Sequence, residues 1–461
     1  MAESGFKRRA KRLFMALSRS RLVTFGCNSS VPERNIALGY IFYILTGFAA
    51  LLLPWCTYDG VEASVLDHLF TATSAVSTTG LATVDVPKVY TPLGMCVILF
   101  LIQLGGMGYM TISSYLMLHL THRMSNRSRT VITAAIPTPY GMSLTSIISN
   151  VVHFTIAFEV LGFLSLWAAF ACAGTDVPAW HALFITISSF CTAGFSTFSD
   201  SLCSFSGNVA VNAVVAILSY AGAMGFIVIT DISRKVREGR RYRVTFTTRV
   251  IVTITCVMTL AGTALQLLFP AAAQGPSARV SVMEAFFQTM SAMTTVGYNT
   301  FDLATLAPIS VLGLAVIMFI GASPSGTGGG VKCTTLSAVY AFVVSMLRGR
   351  KSVSLRGNRL PFYRVNSALT NILVYGVVLL TGTAVITMCS DFTFSQILFE
   401  AASALGTVGI SLGITPLLDT GSKITIIVLM YIGRIGVLTL GAALMTHAVA
   451  AGEDYPQDLA V

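Results

Sequence analysis

Apolar residues gather along this chain in eight long stretches: 36–55, 92–118, 143–171, 209–230, 249–269, 308–346, 366–389 and 423–450. About 20 apolar residues in a helix cross the hydrocarbon core of a bilayer. Each stretch reaches that length, so the pattern predicts eight spanning helices. Between the two members of each successive pair lies a shorter amphipathic run, at 66–77, 182–191, 283–294 and 397–406. These runs are too short to span and long enough for a helix that enters half of the membrane. Backbone beyond such a helix is tolerated at membrane depth only where protein buries it or it lines a water-filled cavity.

The short runs carry one motif, Phe-x3-Ser-x3-Thr-x-Gly, four times. The copies are Phe70-Ser74-Thr78-Gly80, Phe184-Ser188-Thr192-Gly194, Phe287-Ser291-Thr295-Gly297 and Phe399-Ser403-Thr407-Gly409. A generic small-residue helix end is the bland alternative. The near-even spacing and the repeating flanks favour an internal repeat instead. Each unit has two crossings, so all four point the same way and can surround one axis. The expected architecture is an all-α membrane protein. It has four parallel helix–pore-loop–helix repeats, with eight spanning helices and four re-entrant pore helices around one pseudo-fourfold pore. The repeats occupy 35–118, 142–232, 247–347 and 364–450, after a basic segment 1–34 and before a tail 451–461.

Composition agrees with a bilayer. Of 461 residues 54% are hydrophobic and 10% charged, where a soluble protein carries about 25% charge. Mean hydropathy is +0.77. The net charge of +10 invites a nucleic-acid partner, but its placement argues against one. Of the 29 Lys and Arg, 24 lie in 1–34, 119–141, 231–249 and 346–364, which alternate with the motif-bearing segments. The positive-inside rule puts these segments and both termini in the cytoplasm, where they serve as topology signals and contacts for anionic lipid. The motif-bearing side holds Lys88, Arg279 and Lys423 against eleven acids. Residues 6–22 are basic and mildly amphipathic without a cleavage site, as expected of a retained cytoplasmic anchor. Nine cysteines lack CxxC spacing. Most of them, among them Cys96, Cys172, Cys256 and Cys389, read as small buried hydrophobes, with no disulfide framework or zinc site.

The second helix of each unit repeats as well. Gly105-Gly106-Met107-Gly108 answers Gly222-Ala223-Met224-Gly225 and Gly433-Arg434-Ile435-Gly436, small residues that allow close helix approach. The third unit instead reads Gly321-Ala322-Ser323-Pro324-Ser325-Gly326-Thr327-Gly328-Gly329-Gly330, which cannot be regular helix. It is either an ordinary loop between two shorter helices or an intramembrane loop. The flanks 309–320 and 331–346 together make one crossing and favour the second. A phosphate-loop likeness ending at Lys332 is weak, because no strand precedes it.

A cation that sheds its water needs inward oxygens, and backbone carbonyls supply them where the chain can take unusual dihedrals. Gly80, Gly194, Gly297 and Gly409 permit that. Thr78, Thr192, Thr295 and Thr407 add hydroxyl oxygens. Thr79, Ala193, Val296 and Val408 suit packing behind the ring, as do Leu81, Phe195, Tyr298 and Ile410. The motif Phe packs outward and the Ser satisfies backbone behind the loop. Thr295-Val296-Gly297-Tyr298 nearly reproduces the potassium-channel signature TVGYG. The second glycine is replaced by Ala82, Ser196, Asn299 and Ser411, which predicts a shorter, less discriminating filter.

On these motifs the chain resembles the KtrB/TrkH/HKT superfamily of potassium transporters over roughly residues 35–450, and the KtrB membrane subunit of bacterial Ktr systems most. The resemblance implies potassium at the filter carbonyls of Thr78-Thr79-Gly80, Thr192-Ala193-Gly194, Thr295-Val296-Gly297 and Thr407-Val408-Gly409. Sodium-selective relatives place serine at the first glycine, so Gly80 favours potassium. It implies that Gly321–Gly330 is a gating loop contacted by Arg434; Lys332, the cation that follows the loop, is grouped with the gate. It also implies a bacterial inner-membrane homodimer with one pore per subunit, and a cytoplasmic RCK-type regulatory subunit that holds the nucleotide. This chain itself would bind K+ or Na+ and no other cofactor. No Ser/His/Asp, paired-carboxylate or metal-ligand constellation points to an enzyme. Two rivals stay open: a sodium-coupled secondary transporter using Glu159, near His153, and a poorly selective sodium/potassium channel. Glu159 otherwise reads as a helix-interface acid. Asp67, His181, Glu284 and Gln396 read as helix-start caps. Asp85 and Asp302 either gather cations at the mouth or face solvent.

Overall fold

A computed structural model of the chain describes residues 32–108, 144–269, 280–350 and 352–444. The N-terminal basic segment up to residue 31, the basic run 119–141, Arg279 and the tail 451–461 lie outside the described residues. So do the ends of the stretches 92–118 and 423–450.

The four short amphipathic runs are helices, named here with their neighbours in chain order. Helix α1 (Pro32–Leu51), α2 (Val65–Val76) and α3 (Pro92–Met107) make the first group. The second is α4 (Leu144–Cys172), α5 (Pro178–Phe190) and α6 (Val209–Glu238). The third is α7 (Phe246–Leu268), α8 (Val282–Thr294), α9 (Pro308–Ile320) and α10 (Cys333–Leu347). A two-stranded hairpin, β1 (Ser354–Leu355) with β2 (Asn358–Arg359), leads to the fourth. That group is α11 (Phe362–Cys389), α12 (Phe394–Leu405), α13 (Thr420–Ile435) and α14 (Val437–Leu444). Local chemistry starts these helices. Pro92, Pro178 and Pro308 stand in first turns, where a missing N–H costs nothing. Ser64 with Asp67 and Ser281 with Glu284 form capping boxes.

Among the described residues five helices are long and apolar enough to cross a membrane, and a sixth span counts if α13 and α14, bent by 94°, are taken together. The sequence pattern predicts eight; the stretch 92–118 is described only as far as residue 108, and the stretch 308–346 forms two shorter helices, α9 and α10. Gly225 inside α6 has φ +73 and ψ 177, Gly108 ends α3 at φ +75, and Gly436 separates α13 from α14 at φ +89. Gly321 ends α9 at φ +60. Among the described residues α6 and α13–α14 are thus interrupted at a glycine as the third unit is, and α3 ends at one, so an interruption is not peculiar to the third unit as its sequence alone suggests. Among the described residues the third unit alone has a loop inserted at the break.

The groups interlock in a cycle. Helix α5 packs on α3, α8 on α6, α12 on α9 and α2 on α13. The motif phenylalanines are fully buried and follow the same cycle. Phe184 joins the first group's core, Phe287 the second's, Phe399 the third's and Phe70 the fourth's. Inside a bilayer no hydrophobic force drives helices together, so close packing and hydrogen bonds carry this assembly. Gly105, Gly222 and Gly433 show how close it is, since a Cβ there would overlap the carbonyl oxygens of Val76, Phe190 and Leu405. The third unit has the buried Met318 at that place.

Cys96, Cys172, Cys256 and Cys389 are exposed, which corrects their expected burial, whereas Cys56, Cys191 and Cys333 are buried. The reason is that the outer surface of a bilayer protein is itself apolar, so an apolar run does not distinguish core from lipid face.

Candidate functional site

Past each short helix the chain turns sharply at the motif threonine. Thr78, Thr192, Thr295 and Thr407 all sit in the left-handed region, at φ +52, +52, +60 and +49. A β-branched residue there is strained by about 1–2 kcal/mol and needs its surroundings to hold it. The holding bonds repeat four times. The N–H groups of Thr79, Ala193, Val296 and Val408 donate to the carbonyls of Ser74, Ser188, Ser291 and Ser403 at 2.8, 2.8, 3.1 and 2.8 Å. The motif serine hydroxyls then complete the turn. Ser74 and Ser403 accept from the N–H of Gly80 and Gly409 at 3.0 and 3.1 Å. Ser188 and Ser291 donate to the carbonyls of Phe195 and Tyr298 at 2.8 and 2.6 Å. The expected role of serine as backbone support holds in all four, by two different bonds.

The four glycines follow at φ +92, +69, +89 and +92. Each lies against its neighbour's carbonyl: a Cβ on Gly80 would overlap the oxygen of Ala193, one on Gly194 that of Val296, one on Gly297 that of Val408, and one on Gly409 that of Thr79. The order returns to its start, so the four segments close a ring. No side chain larger than hydrogen fits at those positions. Leu81, Phe195, Tyr298 and Ile410 are buried behind it, and the Tyr298 hydroxyl donates to the Phe195 carbonyl at 2.9 Å.

The Gly-rich segment docks on the threonine side of this ring. Gly321 and Gly330 take positive φ and bring its ends together, and Ala322 N–H donates to Gly329 O at 3.3 Å. The break at Gly225 releases carbonyls of α6, and the loop takes them. Ser323 and Thr327 N–H donate to Ala223 and Gly222 at 3.2 and 3.0 Å, and the Ser325 hydroxyl to Met224 at 3.2 Å. Pro324 and Gly326 complete this side, where a Cβ on Gly326 would overlap the Ala223 carbonyl. The tip then meets three threonines. Thr327 Oγ1 is 3.0 Å from Thr192 Oγ1. A Cβ on Gly328 would overlap Thr295 Oγ1, and one on Gly329 would overlap Thr407 Oγ1. Arg434 takes the fourth, donating to Thr78 Oγ1 at 2.8 Å and also to the carbonyls of Thr327 and Gly105. Lys332 Nζ donates to the loop's own Gly328 and Gly329 carbonyls at 2.6 and 3.2 Å. The buried hydroxyls of Thr295 and Thr407 find no hydrogen-bond partner among the described residues.

Other predicted positions fall elsewhere. Glu159 accepts from Gln103 Nε2 at 2.8 Å, a bond between α4 and α3, and His153 is held by the Ser149 carbonyl at 2.7 Å. Glu284 and Gln396 serve the first turns of their helices, as does Asp67, while His181 instead meets Thr197 Oγ1 at 2.7 Å. Asp67 also pairs with Lys423 at 2.9 Å, joining the first unit to the fourth. Burial works to raise the Asp67 carboxyl, but the bonds from Lys423 and Ser64 outweigh it and hold the group at about 2. Asp85 pairs with Lys88 at 2.6 Å and accepts from Ser199 at 3.0 Å, and Asp302 accepts from Ala304 N–H at 3.0 Å. Sequence reasoning missed Glu400, a fully buried acid in α12, although an ionisable residue within an apolar run is itself the signal.

Comparison with known proteins places this geometry in a family. The sequence profile of TrkH, a cation transport protein, matches residues 41–448. The Ktr system potassium uptake protein B of Vibrio alginolyticus is 33% identical over 434 residues, covering 92% of this chain and 93% of its own. The protein of that name from Bacillus subtilis is 31% identical, with 88% and 92% covered. The potassium/sodium uptake protein NtpJ of Enterococcus hirae is 30% identical, with 92% and 95% covered. The crystal structure of the potassium transporter TrkH from Vibrio parahaemolyticus shares the fold at a TM-score of 0.68, with 22% identity over 90% of this chain and 84% of that one. With a matching profile over most of its length and relatives above 30% identity, this multi-pass membrane chain belongs to the TrkH family of cation transport proteins.

Proposed function

We propose that this chain takes up potassium across a bacterial membrane through the ring of four Thr-x-Gly segments. The closed cycle of glycine-to-carbonyl contacts carries the reading, because it sets four backbone turns around one axis with no side chain at the contact. Carbonyl oxygens in such a ring replace a cation's water. The short helices are then re-entrant pore helices, and the four groups are parallel helix–pore-loop–helix repeats. The segment Gly321–Gly330 is the gate. It covers the inner threonines, and Arg434 and Lys332 add positive charge that repels a cation until the loop moves. The basic loops put both termini in the cytoplasm.

The names of the Ktr relatives support a transporter that works in a system with other subunits. We take the partner to be an RCK-type nucleotide-binding subunit acting on the cytoplasmic face of a homodimer. The name of NtpJ keeps sodium in view as a second cargo, and the absent second glycine favours modest discrimination.

The test is growth of potassium-uptake-deficient cells at low external potassium, with wild type beside Gly297→Ser. Wild type rescues growth and Gly297→Ser does not, because at φ +89 a side chain is strained and meets the Val408 carbonyl. Equal growth would sink the assignment of the ring.

A further inference from the structure

Glu400 lies in α12 one residue past the motif Phe399 and is fully buried. Its Oε1 accepts from the Ser411 hydroxyl at 2.5 Å and from Leu412 N–H at 3.0 Å, and its Oε2 from the Thr415 hydroxyl at 2.8 Å. Both oxygens thus have partners on the lip, two on Oε1 and one on Oε2. At the same offset from the ring glycine the other units carry Thr71, Ile185 and Gln288, so the acid belongs to the fourth alone. Its partners matter because of where they stand. Ser411 follows Ile410 and fills the place of the second glycine of TVGYG. In the second and third units the corresponding lips are tied to each other, with Asn299 N–H donating to Ser201 Oγ at 3.3 Å and Leu202 N–H to Asn299 O at 3.1 Å. In the fourth the Glu400 carboxyl is the hub: Ser411, Leu412 and Thr415 all converge on it, and the Thr415 and Ser411 hydroxyl oxygens lie 3.0 Å apart.

We infer that Glu400 is a positioning residue for the outer lip of the ring and sets its discrimination between potassium and sodium. It does so by fixing the peptide that follows Gly409–Ile410 in place of the missing glycine. Cation choice depends on the number and spacing of carbonyl oxygens, and a lip tied by three hydrogen bonds to one buried side chain resists relaxing around the smaller ion. The inference rests on the ring being the selectivity filter.

The experiment measures rubidium uptake by potassium-uptake-deficient cells under sodium competition. It compares wild type, Glu400→Gln, Glu400→Asp, Ser411→Ala, Thr415→Val, the Glu400→Gln/Ser411→Ala pair and Gly297→Ser. Glu400→Gln keeps the shape but replaces an acceptor by a donor facing Ser411, Leu412 or Thr415. It is expected to lower the potassium-over-sodium preference by roughly tenfold, the scale of one buried donor left without its acceptor, with the maximal rate little changed. Glu400→Asp restores part of the preference. Ser411→Ala shifts it in the same direction and adds little on top of Glu400→Gln. Wild-type preference in Glu400→Gln would overturn the inference. Should that variant fail to reach the membrane, wild-type preference in both Ser411→Ala and Thr415→Val overturns it equally. Rate and preference both at the wild-type level in Gly297→Ser would instead remove the filter reading beneath it. Lost uptake or a shifted preference in Gly297→Ser, with wild-type preference in the Glu400 and Ser411 variants, would remove this inference alone.

Discussion

Replacing Arg434 by Gln should open the pore. Arg434 reaches three groups: the Thr78 hydroxyl, the Gly105 carbonyl and the Thr327 carbonyl. Only the last belongs to the loop, so it is the bond that resists displacement. A charge-assisted hydrogen bond of this kind contributes about 1.5–3 kcal/mol, and 1.4 kcal/mol is a factor of ten in an equilibrium. The closed-to-open ratio should therefore fall by at least about tenfold. Loss of a positive charge from the cation path acts in the same direction. The effect is read as rubidium influx into proteoliposomes at fixed protein content. Expected is a rise in rate for Arg434→Gln, large as long as the closed state dominates in wild type. Deleting residues 322–328 should also raise influx, and adding Arg434→Gln to the deletion should change it little, because the restrained element is already gone. Influx equal to or below wild type, from protein that stays monodisperse in detergent, would refute the idea that this arginine latches a gate.

Gly329→Ala tests the same seat by shape alone. Its Cβ would overlap Thr407 Oγ1 and stand 2.6 Å from the Gly406 carbonyl, so the tip cannot settle, and influx should rise several-fold in the same assay. Asp67→Asn tests the seam between the first and fourth units by its pH dependence. The carboxyl is held at about 2 against an ordinary 3.8, so its stabilising effect is complete above the ordinary value and lost as pH falls through 2. The detergent-solubilised variant should melt below wild type at pH 6, with the gap closing as pH drops from 3.8 towards 2. A gap independent of pH would assign the loss to packing.

Much of the site is legible in sequence because it is local. Ser74 to Gly80 spans one helix end, and the bonds of Ser74 to Thr79 and Gly80 depend on no distant residue. The same holds for the capping pairs Ser64–Asp67 and Ser281–Glu284, whose offset is a property of the first helical turn. Legibility fails where the partner is remote. Nothing in the neighbourhood of Thr78 indicates Arg434, and Glu400 finds its donors only because the chain folds back after the ring. The exposed Cys96 and Cys256 mark a different failure, since lipid and protein interior are both apolar and hydropathy cannot rank them.

The sequence by itself determined the helical periodicity, the fourfold motif, the bilayer setting and the place where the third unit departs from its siblings. All of these follow from residue type and short-range spacing. Only the tertiary structure decided that glycine contacts close a ring and that each motif Phe crosses to the preceding unit's core. It alone showed the second helices of the second and fourth units interrupted at a glycine, and the Gly-rich tip resting on three threonines while Arg434 holds the fourth. Those features join residues hundreds of positions apart, and their existence depends on how four similar units pack, which no single unit encodes.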